Sequence, residues 1–317
     1  MTNFDQESAD AAQARQDVLT KPQGSLGRLE ELAVFMAGWR RTSRPAMDRV
    51  QAIVFAGNHG VVARGITPFP ASVTAAMVQN FRNGGAAINQ ICRVAGADLQ
   101  VMALDLDWPT ADFTAGPAMA PAEVQEAMEA GADAVDPNAD ILLLGEMGIG
   151  NSTVAAALAA ATLGGRAEDW VGPGTGAQGP MLQAKIAAVA QGLALHLPRT
   201  TAETLAAFGG REQSAICGAI LRARELRIPV MLDGFICCAA AAVLTRDDPQ
   251  ALEHCLIGHA SAEPGHKRLI AALGKQPILS LDMRLGEGSG AGVALLVLRA
   301  ALECHNGMAT FAEAGIG

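Results

Sequence analysis

Six short, almost wholly apolar runs recur along this chain, at residues 52–56, 99–104, 141–144, 229–232, 255–258 and 278–281. A strand with one face in water alternates apolar and polar side chains, so runs that stay apolar belong to strands covered on both faces. Between them lie helix-length, alanine-rich stretches at residues 73–94, 121–130, 153–163, 179–195, 212–226, 235–245, 263–273 and 290–304. Strand and helix in alternation predict an α/β fold, a parallel sheet flanked by helices. Half of the residues are hydrophobic, yet only 4% are aromatic and there is no tyrosine. The core must therefore be built from small and branched aliphatics, which lets helices pack closely.

The first forty residues depart from this pattern. They read as two polar helices joined by Lys21-Pro22-Gln23-Gly24-Ser25, with Ser25 as the N-cap of the second. Residues 40–45 are the candidate hinge to one large unit, and no fixed-period repeat or low-complexity linker divides the remainder.

Several function classes are disfavoured. The formal net charge is −9 and no lysine and arginine run is long enough to make a nucleic-acid footprint. Apolar runs such as 235–244 and 291–298 fall short of the roughly 20 residues that a membrane helix needs. Asp5, Glu7 and Asp10 precede any apolar stretch, opposite to a signal peptide, so the expected compartment is the cytoplasm. The six cysteines contain no C-x-x-C pair and read as buried thiols. His254, His259 and His266 lie near Glu263 without the H-E-x-x-H spacing, so no metal site is expected.

Chemistry is expected where glycine-rich turns follow strands, because ligands of open α/β sheets bind outside the carboxyl ends. Three such turns are Gly57-Asn58-His59-Gly60, Gly145-Glu146-Met147-Gly148-Ile149-Gly150-Asn151-Ser152-Thr153 and Gly286-Glu287-Gly288-Ser289-Gly290. A fourth, Gly172-Pro173-Gly174-Thr175-Gly176, precedes a helix bearing Lys185. The second turn opens a helix, where free N–H groups and the positive helix end suit a phosphate, although a plain capped turn has the same sequence. Its G-x-x-G-x-G spacing differs from the dinucleotide fingerprint, even though Glu168 and Asp169 stand about 20 residues on, where a ribose-binding acid belongs. No Walker lysine follows, so a phosphate held as a handle fits better than phosphoryl transfer. Lys185 is either that handle's counter-charge or a solvated helix residue. Glu146 and Glu287 are acids inside glycine turns, and Glu287 reads either as a base or as a residue favouring a helix start. His59 is a further acid–base candidate, with simple backbone satisfaction as its alternative.

At these residues the chain resembles the nicotinate-nucleotide:dimethylbenzimidazole phosphoribosyltransferase family. The likeness runs in order through Lys21-Pro22-Gln23-Gly24-Ser25-Leu26-Gly27-Arg28-Leu29-Glu30, Gly57-Asn58-His59-Gly60 and the 145–153 turn. It continues through Leu232-Asp233-Gly234-Phe235, Ser261-Ala262-Glu263 and Met283-Arg284-Leu285-Gly286-Glu287-Gly288-Ser289-Gly290. The resemblance implies a Rossmann-like parallel sheet as the large domain (41–303), with a small helical domain from the chain ends (1–40 and 304–317) and a homodimer. It implies Glu287 as the general base. Donor-nucleotide contacts fall on Glu146, Met147, Gly148, Asn151, Ser152, Gly172, Gly174, Gly176, Lys185 and Ser261. The base pocket falls on the 67–70 segment with Phe69, and on Met77, where some members carry polar residues. Asn58 stands where the family often has aspartate. Glu313 is a rival acid near the chain end.

The implied reaction moves ribose 5-phosphate from nicotinate mononucleotide to 5,6-dimethylbenzimidazole or a related base, with no cofactor and only small-molecule partners. The pyridinium of the donor leaves as a neutral-ring nicotinate, so the enzyme must chiefly hold the phosphate and position C1′. Positive charge grows on the attacking base, and a carboxylate relieves it by removing the N–H proton. Two rivals remain on sequence grounds: an NAD-dependent oxidoreductase using Glu168 or Asp169, and a nucleotide sensor that binds without turnover.

Overall fold

The computed structural model describes residues 3–316. Helices α1 (Gln6–Val18) and α2 (Arg28–Arg40) precede β1 (Val50–Ala56), α3 (Ser72–Arg82), α4 (Ala87–Ala95) and β2 (Asp98–Ala103). Next come α5 (Pro121–Asp133), β3 (Ile141–Met147), α6 (Asn151–Leu163), α7 (Pro180–Leu195), α8 (Thr201–Phe208), α9 (Arg211–Glu225) and β4 (Val230–Leu232). The chain continues through α10 (Phe235–Val243), β5 (Cys255–His259), α11 (Pro264–Ala272), β6 (Pro277–Leu279) and α12 (Ser289–Gly307).

Each of the six apolar runs forms a strand, and all pair in parallel in the order β2-β1-β3-β4-β5-β6. The four inner strands are covered on both faces by two cores, whereas the edge strands β2 and β6 are only partly covered, so full burial does not hold for them. Ile53, Phe55, Leu142 and Leu144 enter one with the alanine faces of α6 and α10, whereas Ala52, Val54, Ile141 and Leu143 enter the other with α2, α4 and α12. Small residues bring the helix backbones together. A Cβ on Gly131 of α5 would stand 1.9 Å from the Ala215 carbonyl oxygen of α9, and one on Gly218 of α9 would stand 1.9 Å from that of Met128. Strand order reverses between β1 and β3, because β1 connects onward to β2 on its other side; the loops leaving β1 and β3 diverge there and open a crevice.

Four local expectations need correction. The 73–94 stretch is two helices, broken where Gly84 adopts φ 76° and Asn89 turns back to accept the Ala86 N–H at 3.0 Å. Ser25 does not cap α2, which starts at Arg28 after Gly27; the Glu30 carboxylate instead takes the Leu26 N–H and the Lys21 ammonium, each at 2.9 Å. Helix α8 falls outside the expected helical stretches, although Thr200 and Glu203 form a capping box at its start. Residues 40–45 are no free hinge: Arg40 pairs with Asp140 at 2.8 Å, and the Ser43 and Pro45 carbonyls bond His305 and Asn306.

The two chain ends meet. Leu19 bridges Thr310, and the Arg15 guanidinium donates to the His305, Asn306 and Met308 carbonyls at 2.8, 3.2 and 3.0 Å. Among the described residues no helix is long and apolar enough to cross a membrane. All six cysteines are free thiols, five of them buried and Cys304 partly so.

Candidate active site

A cleft of about 810 Å³, open mouth included, lies at the carboxyl ends of β3, β4 and β5 beside the strand-order reversal. Its acidic side follows from one close approach. A Cβ on Gly145 of β3 would stand 2.5 Å from the Gly288 nitrogen, so the strand tip and the 286–288 turn lie backbone to backbone. Glu146 and Glu287 are thereby carried into the same corner. Gly286, Glu287 and Gly288 take consecutive left-handed conformations, with φ of 82°, 64° and 81°. For a non-glycine residue that conformation costs about 1–2 kcal/mol, so a glutamate held there points to a demand on its carboxylate rather than on the turn.

Asp233, directly after β4, organises this corner. Its carboxylate accepts the Gly288 and Ala291 N–H groups at 3.2 and 2.9 Å, which places its charge on the N-terminus of α12. His259 Nε2 lies 3.5 Å from the same carboxylate. Burial, then the Asp233 charge, pushes the Glu287 carboxyl up to about 7. Glu146 is pushed up to about 8, first by burial and then by Asp233, with smaller contributions from Glu212 and Glu287; the hydrogen bond from the Asn151 amide opposes the shift. A carboxyl at about 7 divides its time between acid and base at neutral pH, which suits proton removal from a weakly acidic N–H.

The other side of the cleft carries a buried ammonium, a group that can hold an anion. Ser152 sits in the first turn of α6 after Gly150, and the Lys185 ammonium, carried in by α7, donates to Ser152 Oγ at 3.0 Å and to the Gly172 carbonyl at 2.8 Å. Lys185 is only 2% exposed, and burial lowers its pKa to about 8 against the opposing charge of Glu263. Its sequence alternative, a solvated surface lysine, is thereby excluded. Ser261 is fixed by His266, whose Nδ1 lies 2.9 Å from both the Ser261 N–H and its hydroxyl. Because Nδ1 accepts that N–H, the imidazole is neutral, in keeping with burial lowering its pKa to about 4.

Glu146, Met147, Gly148, Asn151, Ser152, Gly174, Lys185, Ser261 and Glu287 all line the cleft. Gly172 stands behind it as the carbonyl partner of Lys185, and Gly176 turns the backbone at φ 118°. Phe69 and Met77 do not line it. Phe69 is 44% exposed and Met77 packs on the second core, while Ile66 and Thr67 form the nearby wall. His59 is also outside, buried behind the 148–151 turn with Nε2 2.9 Å from Glu212. Asp169 caps the Arg166 N–H and pairs with Arg268 at 3.5 Å, and exposed Glu313 caps Thr310, so neither acid reaches the cleft. Sequence reasoning assigned no role to Asp233 or to Glu263, which also lines the cleft; Asp233 carried a usable signal, an acid between a strand end and a glycine. No cluster of three or more metal-ligating side chains occurs among the described residues.

Comparison with known proteins agrees with this geometry. A family model described as phosphoribosyltransferase matches residues 1–316. The nicotinate-nucleotide–dimethylbenzimidazole phosphoribosyltransferase of Rhodobacter capsulatus is 61% identical over 312 residues, 98% of this chain and 93% of that protein. The enzyme of the same name from Roseobacter denitrificans is 58% identical over 313 residues, with the same coverage of both chains. The crystal structure of the enzyme of that name from Thermus thermophilus superposes with a TM-score of 0.92 at 40% identity, covering 99% of each chain. A matched fold, a matched length and a cleft in which an acid corner faces an anion seat lead to one conclusion: this chain belongs to the nicotinate-nucleotide–dimethylbenzimidazole phosphoribosyltransferase family.

Proposed function

We propose that this chain transfers the 5-phosphoribosyl group of nicotinate mononucleotide to 5,6-dimethylbenzimidazole or a related base, with Glu287 as the general base. The products are nicotinate and α-ribazole 5′-phosphate, a step of cobamide lower-ligand assembly. The donor phosphate sits between Ser152, Lys185, Ser261 and the 172–176 turn. Glu146 and Asn151 face the ribose, and Met147 and Gly148 form the floor. The base lies toward Ile66 and Thr67; Phe69 and Met77 take no part in this assignment. The observation that carries the reading is the Glu287 carboxyl, held in left-handed backbone beside Asp233 with its pKa near 7. Attack opposite the departing nicotinate inverts the anomeric centre, and Glu287 removes the N–H proton as charge develops on the base. Asp233, held on the α12 N–H groups, lies beside Glu287 and favours the protonated form that this transfer produces. The same reading takes the chain ends as a small helical domain, the assembly as a homodimer and the compartment as the cytoplasm.

The test is metal-free incubation with nicotinate mononucleotide and dimethylbenzimidazole, following nicotinate and α-ribotide by chromatography. Glu287→Gln is expected to lower kcat by about 10²–10⁴. Full activity in that variant would move the base elsewhere, and absence of product from the unaltered protein with several benzimidazoles would leave a nucleotide sensor as the better reading.

A further inference from the structure

The anion seat of the cleft is already occupied by a carboxyl side chain. Glu263, at the start of α11, reaches the 172–176 turn, where its Oε1 accepts the Gly174 N–H at 2.9 Å. That N–H belongs to a glycine in left-handed backbone, φ 54°, the kind of outward-facing donor that takes a phosphate oxygen. The space around it is small. A Cβ on Gly174 would stand 2.6 Å from Ser152 Oγ and 3.1 Å from Lys185 Nζ, and one on Gly172 would stand 2.1 Å from Glu263 Oε2. Carboxylate, hydroxyl and ammonium therefore converge on one volume. The hydrogen bonds of Lys185 go to neutral oxygens, and Glu263 is the charge that opposes its loss of a proton. The charged groups facing Glu263 are Lys185 from α7 and Arg284 from the loop before Glu287.

We propose that Glu263 is an internal competitor for the donor phosphate, holding the Gly174 N–H and screening Lys185 until the phosphate displaces it. The proposal rests on the reading of this seat as the donor-phosphate site. The carboxylate keeps the turn ordered and Lys185 charged while the site is empty. On binding, two anions cannot share one N–H and one ammonium, so Glu263 must either swing out or take up a proton. The same competition acts on the phosphorylated product, which is pushed out by the returning carboxylate; product release limits turnover in many enzymes. Glu263 acts on the reacting atoms only through the phosphate, which makes it a positioning residue.

Burial pushes the Glu263 carboxyl upward, against Lys185, the Gly174 N–H and Arg284. Lower pH therefore neutralises the competitor and should tighten phosphate binding in the unaltered protein. The experiment is calorimetric titration of Glu263→Gln and the unaltered protein with ribose 5-phosphate, and with nicotinate riboside, which lacks the phosphate. Glutamine keeps an acceptor for the Gly174 N–H and loses the charge. At pH 7, below the Lys185 pKa of about 8 so that the ammonium keeps its proton, the variant should bind ribose 5-phosphate roughly tenfold more tightly, with the difference shrinking toward pH 5 and no difference for the riboside. Equal or weaker binding of ribose 5-phosphate by Glu263→Gln at pH 7 overturns the competitor and leaves a fastener of the turn. Equal tightening for the riboside overturns it too, because the effect would then bypass the phosphate. If neither protein, folded by circular dichroism, binds ribose 5-phosphate while both bind the riboside, the phosphate seat itself is misplaced.

Discussion

The two sides of the cleft bury charge in opposite ways. On the acid side Glu146, Asp233 and Glu287 crowd together, and among the described residues none of them pairs with a lysine or arginine. On the anion side a single buried ammonium faces a carboxylate, a hydroxyl and backbone groups. Burial is the largest cause of the shifts on both, raising two carboxyls and lowering one amine toward neutral pH. Desolvation thus acts in the same sense on a proton acceptor in one place and on a cation in the other, each time bringing the group toward neutral pH. What separates the roles is the neighbour that each charge is given.

That contrast can be broken at its strongest point. Lys185→Met removes the cation and leaves the acid corner untouched, so the donor KM should rise by about 10–100-fold with kcat nearly unchanged. Steady-state kinetics decide it, and a fall in kcat with KM intact would mean that the two sides are one unit. A smaller effect comes from pH. With donor saturating, kcat/KM for the benzimidazole should fall by about tenfold per pH unit below 7, because Glu287 must be ionised to act. A profile flat to pH 5.5 would remove Glu287 from the proton transfer. The smallest effect concerns stability. The Glu146 carboxyl is raised from 4.5 to about 8, so between those values the folded protein keeps a proton that the unfolded chain has released. The stability from that neutral carboxyl is complete below pH 4.5 and is lost as pH rises through 8. Glu146→Gln cannot ionise, and its Tm relative to the unaltered protein should climb by about 2–4 °C from pH 5 to 8. A constant difference across that range would show that Glu146 is not held neutral.

Much of this was legible in the residues because it is written locally. The six strands announce themselves as almost wholly apolar runs, although the edge strands β2 and β6 are only partly covered, and the glycine turns after several of them mark where a ligand can approach. The break at Gly84 was also local, but the apolar helical pattern on both sides masked it. Other parts are written across the fold. Asp233 matters because α12, more than fifty residues on, presents its N–H groups to it, and no window of sequence holds both partners. From its local pattern Lys185 could equally be a phosphate's counter-charge or a solvated helix residue, and only the 172–176 turn laid over it decides between the two. Phe69 and Met77 were placed by family likeness rather than by any physical signal of their own; of the 67–70 segment only Thr67 lines the cleft, together with Ile66 before it.

Helix α12 has a mechanical side. At a rise of about 1.5 Å per residue, Ser289–Gly307 forms a rod of about 28 Å. One end is clamped by Asp233 next to Glu287. The other is gripped by Arg15 on its last carbonyls, by Gln16 and Ser43 on His305, and by Pro45 on Asn306. A stiff rod held at both ends keeps one direction. The N-terminal segment, none of which lines the cleft, thus holds the far end of the helix whose first turn lies directly after Glu287.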